Sequence, residues 1–185
     1  MSKSYKTKSK FLSLVLRHQP ELAGIELDDA GWTTIDKLLA GCALAGTVIS
    51  REDLAEIVRT SDKQRFALSE DGQRIRANQG HSVPVELGYA PMSPPDVLYH
   101  GSASQYIDSI RSSGLSKQLR HDVHLSESIE STMKVGQRKG VAVLVTIDAR
   151  AMAADGHVFY KTPNGVWLTD HVPPKYLTIN ENGTT

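Results

Sequence analysis

From Ser9 onward, Phe11, Leu12, Val15 and Leu16 recur at the spacing of one helical face, and Pro20 ends the run. The pattern predicts a helix with Arg17 and His18 in its last turn. Asp28-Asp29-Ala30-Gly31 is turn chemistry, after which Thr33 or Thr34 can cap a second helix carrying Ile35, Leu38 and Leu39 inward. Gly41 and Gly46 blur the end of that helix. Ser50-Arg51-Glu52-Asp53 sets an acid three residues after a serine, the form of a capping box, and opens a third helix through Leu54, Ile57 and Val58. The period then shortens. Over residues 63–69, Arg65 and Ala67 fall on one face and Phe66 and Leu68 on the other, and Asp71-Gly72 turns the chain into a second strand through Ile75. Three short helices and a hairpin predict a winged-helix lobe.

Residues 79–95 hold Gly80, Pro84, Gly88, Pro91, Pro94 and Pro95, which favour extended backbone without a regular element. The boundary between two lobes, residues 1–90 and 91–185, is placed there. Beyond it strands alternate with short helices: an extended stretch at 97–100, a helix around Tyr106, Ile107 and Ile110 ended by Gly114, a strand at 123–125 and a helix from Ser126. A buried strand at 141–147 follows, then strands at 158–160, 166–168 and 176–179, with a Pro163-Asn164-Gly165 turn between. The fold class read from this order is α+β.

Composition changes this picture little. With 39% hydrophobic and 23% charged residues over 185 positions, the chain is built to fold, and collagen-like or disordered readings are excluded. Lys plus Arg (21) balances Asp plus Glu (21), so any contact with nucleic acid needs a local basic cluster. Lys3, Lys6, Lys8, Lys10 and Arg17 form one near the N-terminus without an acid between them, equally readable as a solvated helix start. The single cysteine, Cys42, cannot form an internal disulfide and reads as core filling. No charged-then-apolar leader opens the chain and no apolar run approaches a bilayer span, so a cytoplasmic protein is expected. No heptad calls for assembly, and a monomer is expected.

Several chemistries lack their signatures. There is no Walker loop, no Gly-rich dinucleotide fingerprint and no Cys/His zinc pattern. His121 and His124 would share a helical face, but in a strand their side chains point to opposite sides, and no metal is expected. Arg17-His18 at a helix end has a structural explanation, since cations complement the dipole there. Arg65 reads equally as a solvated residue of a hairpin. Taken together, guanidinium forks and a titratable imidazole suit the grip of a phosphate dianion.

The stretches Ser9-Lys10-Phe11-Leu12-Ser13, Leu16-Arg17-His18, Gly31-Trp32, Asp62-Lys63-Gln64-Arg65-Phe66 and Gln79-Gly80-His81-Ser82 are followed by Leu98-Tyr99-His100-Gly101 and Val123-His124-Leu125-Ser126. Asn164-Gly165-Val166-Trp167-Leu168-Thr169 and Val172-Pro173-Pro174-Lys175-Tyr176-Leu177 complete the series. In this order the chain resembles RNA 2′-phosphotransferases of the KptA type. The resemblance implies a winged-helix lobe followed by an ADP-ribosyltransferase-like lobe. It also implies removal of an internal 2′-phosphate from transfer-RNA-like RNA, as in tRNA splicing, with NAD consumed as co-substrate. The RNA would become joined to ADP-ribose through its 2′-phosphate, and nicotinamide and ADP-ribose 1″,2″-cyclic phosphate would be released.

Carried over by position, the resemblance implies that Arg17, His18, Arg65 and Arg120 are catalytic. Arg120 stands three residues before Val123, although His121-Asp122 departs from the commoner arrangement of a histidine directly before the valine. The NAD set would be His100, Gly101, Ser102, His124, Ser126 and Val166. Ser102 replaces a threonine, and Val166 lies near where relatives that modify proteins carry a glutamate. Two other classes share features: a two-histidine cyclic phosphodiesterase, from His100-Gly101-Ser102 and His124-Leu125-Ser126, and a non-catalytic winged-helix regulator that senses a nucleotide.

Overall fold

A computed structural model describes residues 3–61, 63–137 and 140–180. Asp62, the first residue of one stretch named above, lies outside them. The chain divides into two compact units, Met1–Gly88 and Tyr89–Thr185.

In the first unit α1 spans Lys3–Arg17, starting well before the expected Ser9. The extra turns carry good helix formers, Tyr5 packs against the core, and Lys8 Nζ reaches Asp53 Oδ2 at 2.5 Å, so the basic stretch is tied down through Lys8. The short strand β1 (Thr33–Thr34) leads into α2 (Ile35–Leu44), where Thr34 is the N-cap and accepts from Lys37 N–H. Helix α3 (Arg51–Thr60) opens on a complete capping box: Ser50 Oγ accepts Asp53 N–H at 3.0 Å and Asp53 Oδ2 accepts Ser50 N–H at 3.3 Å. Strands β2 (Phe66–Leu68) and β3 (Arg74–Ala77) form the hairpin, and β1 joins the far side of β3, giving an antiparallel sheet in the order β1-β3-β2. Phe66 and Ile75 face a core of Leu12, Leu16, Leu38 and Ile57, whereas Leu68, expected beside Phe66, is exposed where its strand ends. Arg76 Nη1 donates to the carbonyls of Ala30 and Leu87, both at 3.2 Å, and its guanidinium lies 4.7 Å from the Trp32 ring centroid. The extended tail of the unit is thereby fastened to the turn before β1.

In the second unit β4 (Val97–Ala103) pairs along its whole length with β7 (Ala142–Asp148), and β11 (Leu177–Asn180) lies on the other side of β7. A second antiparallel sheet runs β6 (Val123–Leu125), β9 (Trp167–Thr169), β8 (Tyr160–Lys161). The reciprocal backbone bonds of Tyr99 and Ser126, at 2.8 and 2.9 Å, link β4 to the end of β6. Helix α4 (Ile107–Ser113) ends at Gly114, and β5 (Leu115–Ser116) pairs with β10 (His171–Val172). Helix α5 (Ile129–Gly136) starts at Ser128, not Ser126, because the Ser128 hydroxyl accepts Ser131 N–H at 3.2 Å. Strand β7 buries Val143, Val145 and Ile147 on one face and leaves the alternate residues half-buried, so it is not buried on both sides. Strands β8, β9 and β11 each begin one or two residues later than predicted; Val166 lies in the turn and Tyr176 in a 3-10 turn (Pro174–Tyr176). An unpredicted helix, α6 (Ala149–Ala154), is capped by Asp148.

The architecture is α+β with small antiparallel sheets. Among the described residues, no helix is long and apolar enough to cross a membrane.

Candidate functional site

Helix α1 stops at Arg17 because Pro20 has no amide hydrogen to extend the ladder. Its last carbonyl is met from residues 79–83: Ser82 N–H donates to Arg17 O at 2.9 Å and Val83 N–H to the same oxygen at 3.4 Å. Ser82 Oγ lies 2.9 Å from His18 Nδ1 on the protein surface. Gly80, at φ +86°, lets this segment turn, and its position lies beside the Arg17 guanidinium. The half-buried Arg65 stands immediately before β2; its carbonyl accepts Asn78 N–H at 2.9 Å, and its Nη1 lies 3.5 Å from Ser61 Oγ. Asn78 Nδ2 also donates to Gln64 O at 2.6 Å, pinning Gln64 in the left-handed region at φ +38°, a conformation that costs a non-glycine residue about 1–2 kcal/mol. One short segment, residues 78–82, therefore holds the backbone of Arg65 at one end and the side chains of Arg17 and His18 at the other.

In the second unit, His100 shares a face of β4 with Leu98 and Ser102, and its Nδ1 lies 3.0 Å from the His124 carbonyl. A carbonyl only accepts, so Nδ1 carries the hydrogen. Burial holds the His100 pKa below the ordinary imidazole value; the carbonyl opposes this, and the positive charge of Arg120 adds to the lowering. A neutral His100 then presents Nε2 as a hydrogen-bond acceptor. Arg120 is exposed on the loop 117–122, whose turn is closed by Arg120 N–H on Lys117 O at 3.0 Å and braced by Lys117 Nζ on Asp170 Oδ1 at 2.5 Å. Burial raises the pKa of the neighbouring Asp122, while the charges of His121 and Lys117 oppose the shift.

The remaining predicted residues are placed as follows. His124 occupies the middle of β6 opposite Leu168. The Ser126 hydroxyl is engaged in its own loop, accepting Ser128 N–H at 3.0 Å and lying 3.2 Å from Ser131 Oγ. Ser102 is buried. A Cβ at Gly101 would stand 2.1 Å from the Thr132 carbonyl oxygen, so glycine here lets the backbone of α5 rest on β4. Both backbone polar groups of Val166 bond to Thr162. Among the described residues no three His, Cys, Asp or Glu side chains converge as a metal cluster.

Sequence reasoning missed Asn78, whose contacts to Gln64 and Arg65 join positions remote in the chain, and Glu127. Glu127 Oε1 accepts from Trp167 Nε1 at 2.7 Å and Lys161 Nζ at 2.8 Å, fastening the β6–α5 loop to the second sheet. No local pattern marks either residue.

A sheet-tied helix end bearing Arg-His in one unit, and a neutral histidine under the field of an arginine in the other, define a protein equipped to hold anionic, hydroxyl-rich ligands. The chain belongs to the RNA 2′-phosphotransferase, Tpt1/KptA family, whose model matches residues 3–171. It is 56% identical over 179 residues to a protein of Hahella chejuensis named "Probable RNA 2′-phosphotransferase", covering 97% of this chain and 96% of that one. Proteins with the same name from Pseudomonas aeruginosa and Acaryochloris marina are 54% and 48% identical, over 91% and 96% of this chain and 93% and 98% of theirs.

Proposed function

We propose that this chain removes an internal 2′-phosphate from RNA, with NAD as the consumed co-substrate. In this reading the first unit is a winged-helix lobe that grips the RNA phosphate and the second is an ADP-ribosyltransferase-like lobe that receives the nucleotide. The observation that carries it is the grouping of Arg17, His18 and Arg65 on residues 78–82, which supplies two guanidinium groups and an imidazole to a phosphate dianion. His100 fits the second role: its neutral Nε2 can accept from a ribose hydroxyl, with His124 behind it and the cation of Arg120 suited to a phosphate oxygen. Ser102, Ser126 and the backbone at Gly101 and Val166 complete the proposed nucleotide set.

The chemistry assigns the arginines to one step in particular. A 2′-phosphate oxygen attacks the anomeric carbon of the nicotinamide ribose, and nicotinamide leaves with the bonding electrons, so an anion and a cation are consumed together and orientation dominates. The neighbouring ribose hydroxyl then attacks phosphorus and expels the RNA 2′-oxygen, which takes up a proton. Charge grows on the phosphoryl oxygens, where Arg65 and Arg120 act.

The test is a single-turnover reaction with NAD and RNA labelled at an internal 2′-phosphate. The wild type should release nicotinamide and leave 2′-hydroxyl RNA. Arg65→Ala or Arg120→Ala should slow the second step by at least about a hundredfold and accumulate RNA joined to ADP-ribose. Loss of the phosphate without NAD consumption would overturn the reading, and variants that stall with unreacted RNA would overturn the assignment of the arginines.

A further inference from the structure

We propose that Ser82 is the positioning residue of His18: it holds Nδ1, so that the ring meets the phosphate through Nε2 with its hydrogen on that nitrogen. The identity of the ligand rests on the phosphotransferase reading; the positioning itself stands on the geometry of the first unit.

His18 follows the last residue of α1 on the surface. An imidazole in that setting has a broad, roughly two-fold torsion at its ring and two neutral tautomers, so either nitrogen could face a ligand, with or without a hydrogen. Ser82 removes that ambiguity because it is fixed independently of its side chain. Its N–H is bonded to Arg17 O at 2.9 Å, and Val83 N–H reaches the same oxygen. The Ser82 hydroxyl is therefore carried to a set place beside the helix end, 2.9 Å from Nδ1. Further up the same segment, Gly80 lies along Arg17 and Asn78 holds the carbonyl of Arg65, so one backbone path sets both guanidinium residues and the ring.

A hydroxyl suits this task better than a carboxylate or an amide. It donates to Nδ1 of the neutral ring and, by rotating, accepts from Nδ1–H of the charged ring. In both states Nε2 keeps its hydrogen and offers a donor to a phosphate oxygen. The opposite tautomer would aim the Nε2 lone pair at an anion. An added negative charge from a carboxylate would also compete with the phosphate for the arginines.

The experiment reads the ring directly. Long-range proton–nitrogen correlation spectra of the full-length, nitrogen-labelled protein, at a pH where histidine is neutral, report which nitrogen is protonated; the His18→Gln variant identifies the signal among the seven histidines. Wild-type His18 should appear with hydrogen on Nε2. Ser82→Ala keeps the backbone anchor and should relax the ring toward a mixture of tautomers, and Ser82→Thr should restore the wild-type pattern. In the turnover assay Ser82→Ala should lower kcat by up to about tenfold, the scale of one net hydrogen bond, with KM for NAD unchanged and activity recovered in Ser82→Thr. A wild-type ring with hydrogen on Nδ1, or a Ser82→Ala spectrum identical to wild type, would overturn the proposal. If the spectra behave as expected but the wild type consumes no NAD with 2′-phosphorylated RNA, the positioning stands and the functional reading falls.

Discussion

Trp167 is buried in the second unit, and its indole N–H has Glu127 Oε1 as acceptor at 2.7 Å. Glu127→Ala removes that acceptor and strands a buried donor, for which the penalty is about 1–3 kcal/mol. The carboxylate is half exposed, so water can reach the freed indole, and the lower half of that range, about 1–2 kcal/mol, is expected. Glu127→Gln retains an oxygen acceptor and gives up only the charge facing Lys161 Nζ at 2.8 Å, a partly exposed pair worth about 0–1 kcal/mol. Alanine should therefore exceed glutamine in its cost by about 1 kcal/mol. The bond from Lys161, then that from Trp167, holds the Glu127 pKa below the ordinary carboxylate value. A carboxylate depressed in the folded state contributes stability above its unfolded pKa and loses it as pH falls through the folded one. The gap between wild type and Glu127→Gln should accordingly close in acid. Urea titrations of the three proteins, near neutrality and below the carboxylate range, measure both effects. Equal losses for alanine and glutamine, or a gap that acid leaves unchanged, would refute the assignment.

Three further outcomes can be measured alongside. Gly101→Ala would drive a methyl against the Thr132 carbonyl, a backbone atom, and should destabilise the protein by about 1–3 kcal/mol in the same titration; a loss below about 0.5 kcal/mol would contradict the close approach. Ser50→Ala breaks the capping box of α3 and should cost about 1 kcal/mol, with no change in the slope of the transition. Burial pushes the Cys42 thiol up to about 11, so a thiol reagent should label it only as the protein unfolds, and rapid labelling without urea would show that the helix does not cover it.

Where a signal is local, the sequence carries it almost to the residue. Ser50 and Asp53 announce α3 because both halves of the box lie within four positions, and Pro20 announces the end of α1. Helix α1 begins early because its opening turns are stabilised from outside: Asp53 draws in Lys8, and that partner is forty-five positions away. The short strand β1 is equally illegible, since Thr33 becomes strand only by pairing with Ile75. Helix α6 could have been read from Asp148 ahead of an alanine-rich run. At the site, Arg17-His18 could be placed at a helix end by periodicity alone. That Ser82 holds the histidine, or that the His124 carbonyl fixes the His100 tautomer, depends on tertiary contacts that no spacing encodes.

The glycine of a His-Gly-Ser run invites comparison with phosphate-binding loops, where a missing side chain clears room for a ligand. At position 101 that room is already taken by the main chain of α5. A glycine aligned there in a related sequence thus records how near a helix lies. A search for nucleotide sites that scores such glycines would be measuring helix contact, and would rank chains with the same wall equally whether or not they bind anything beside it.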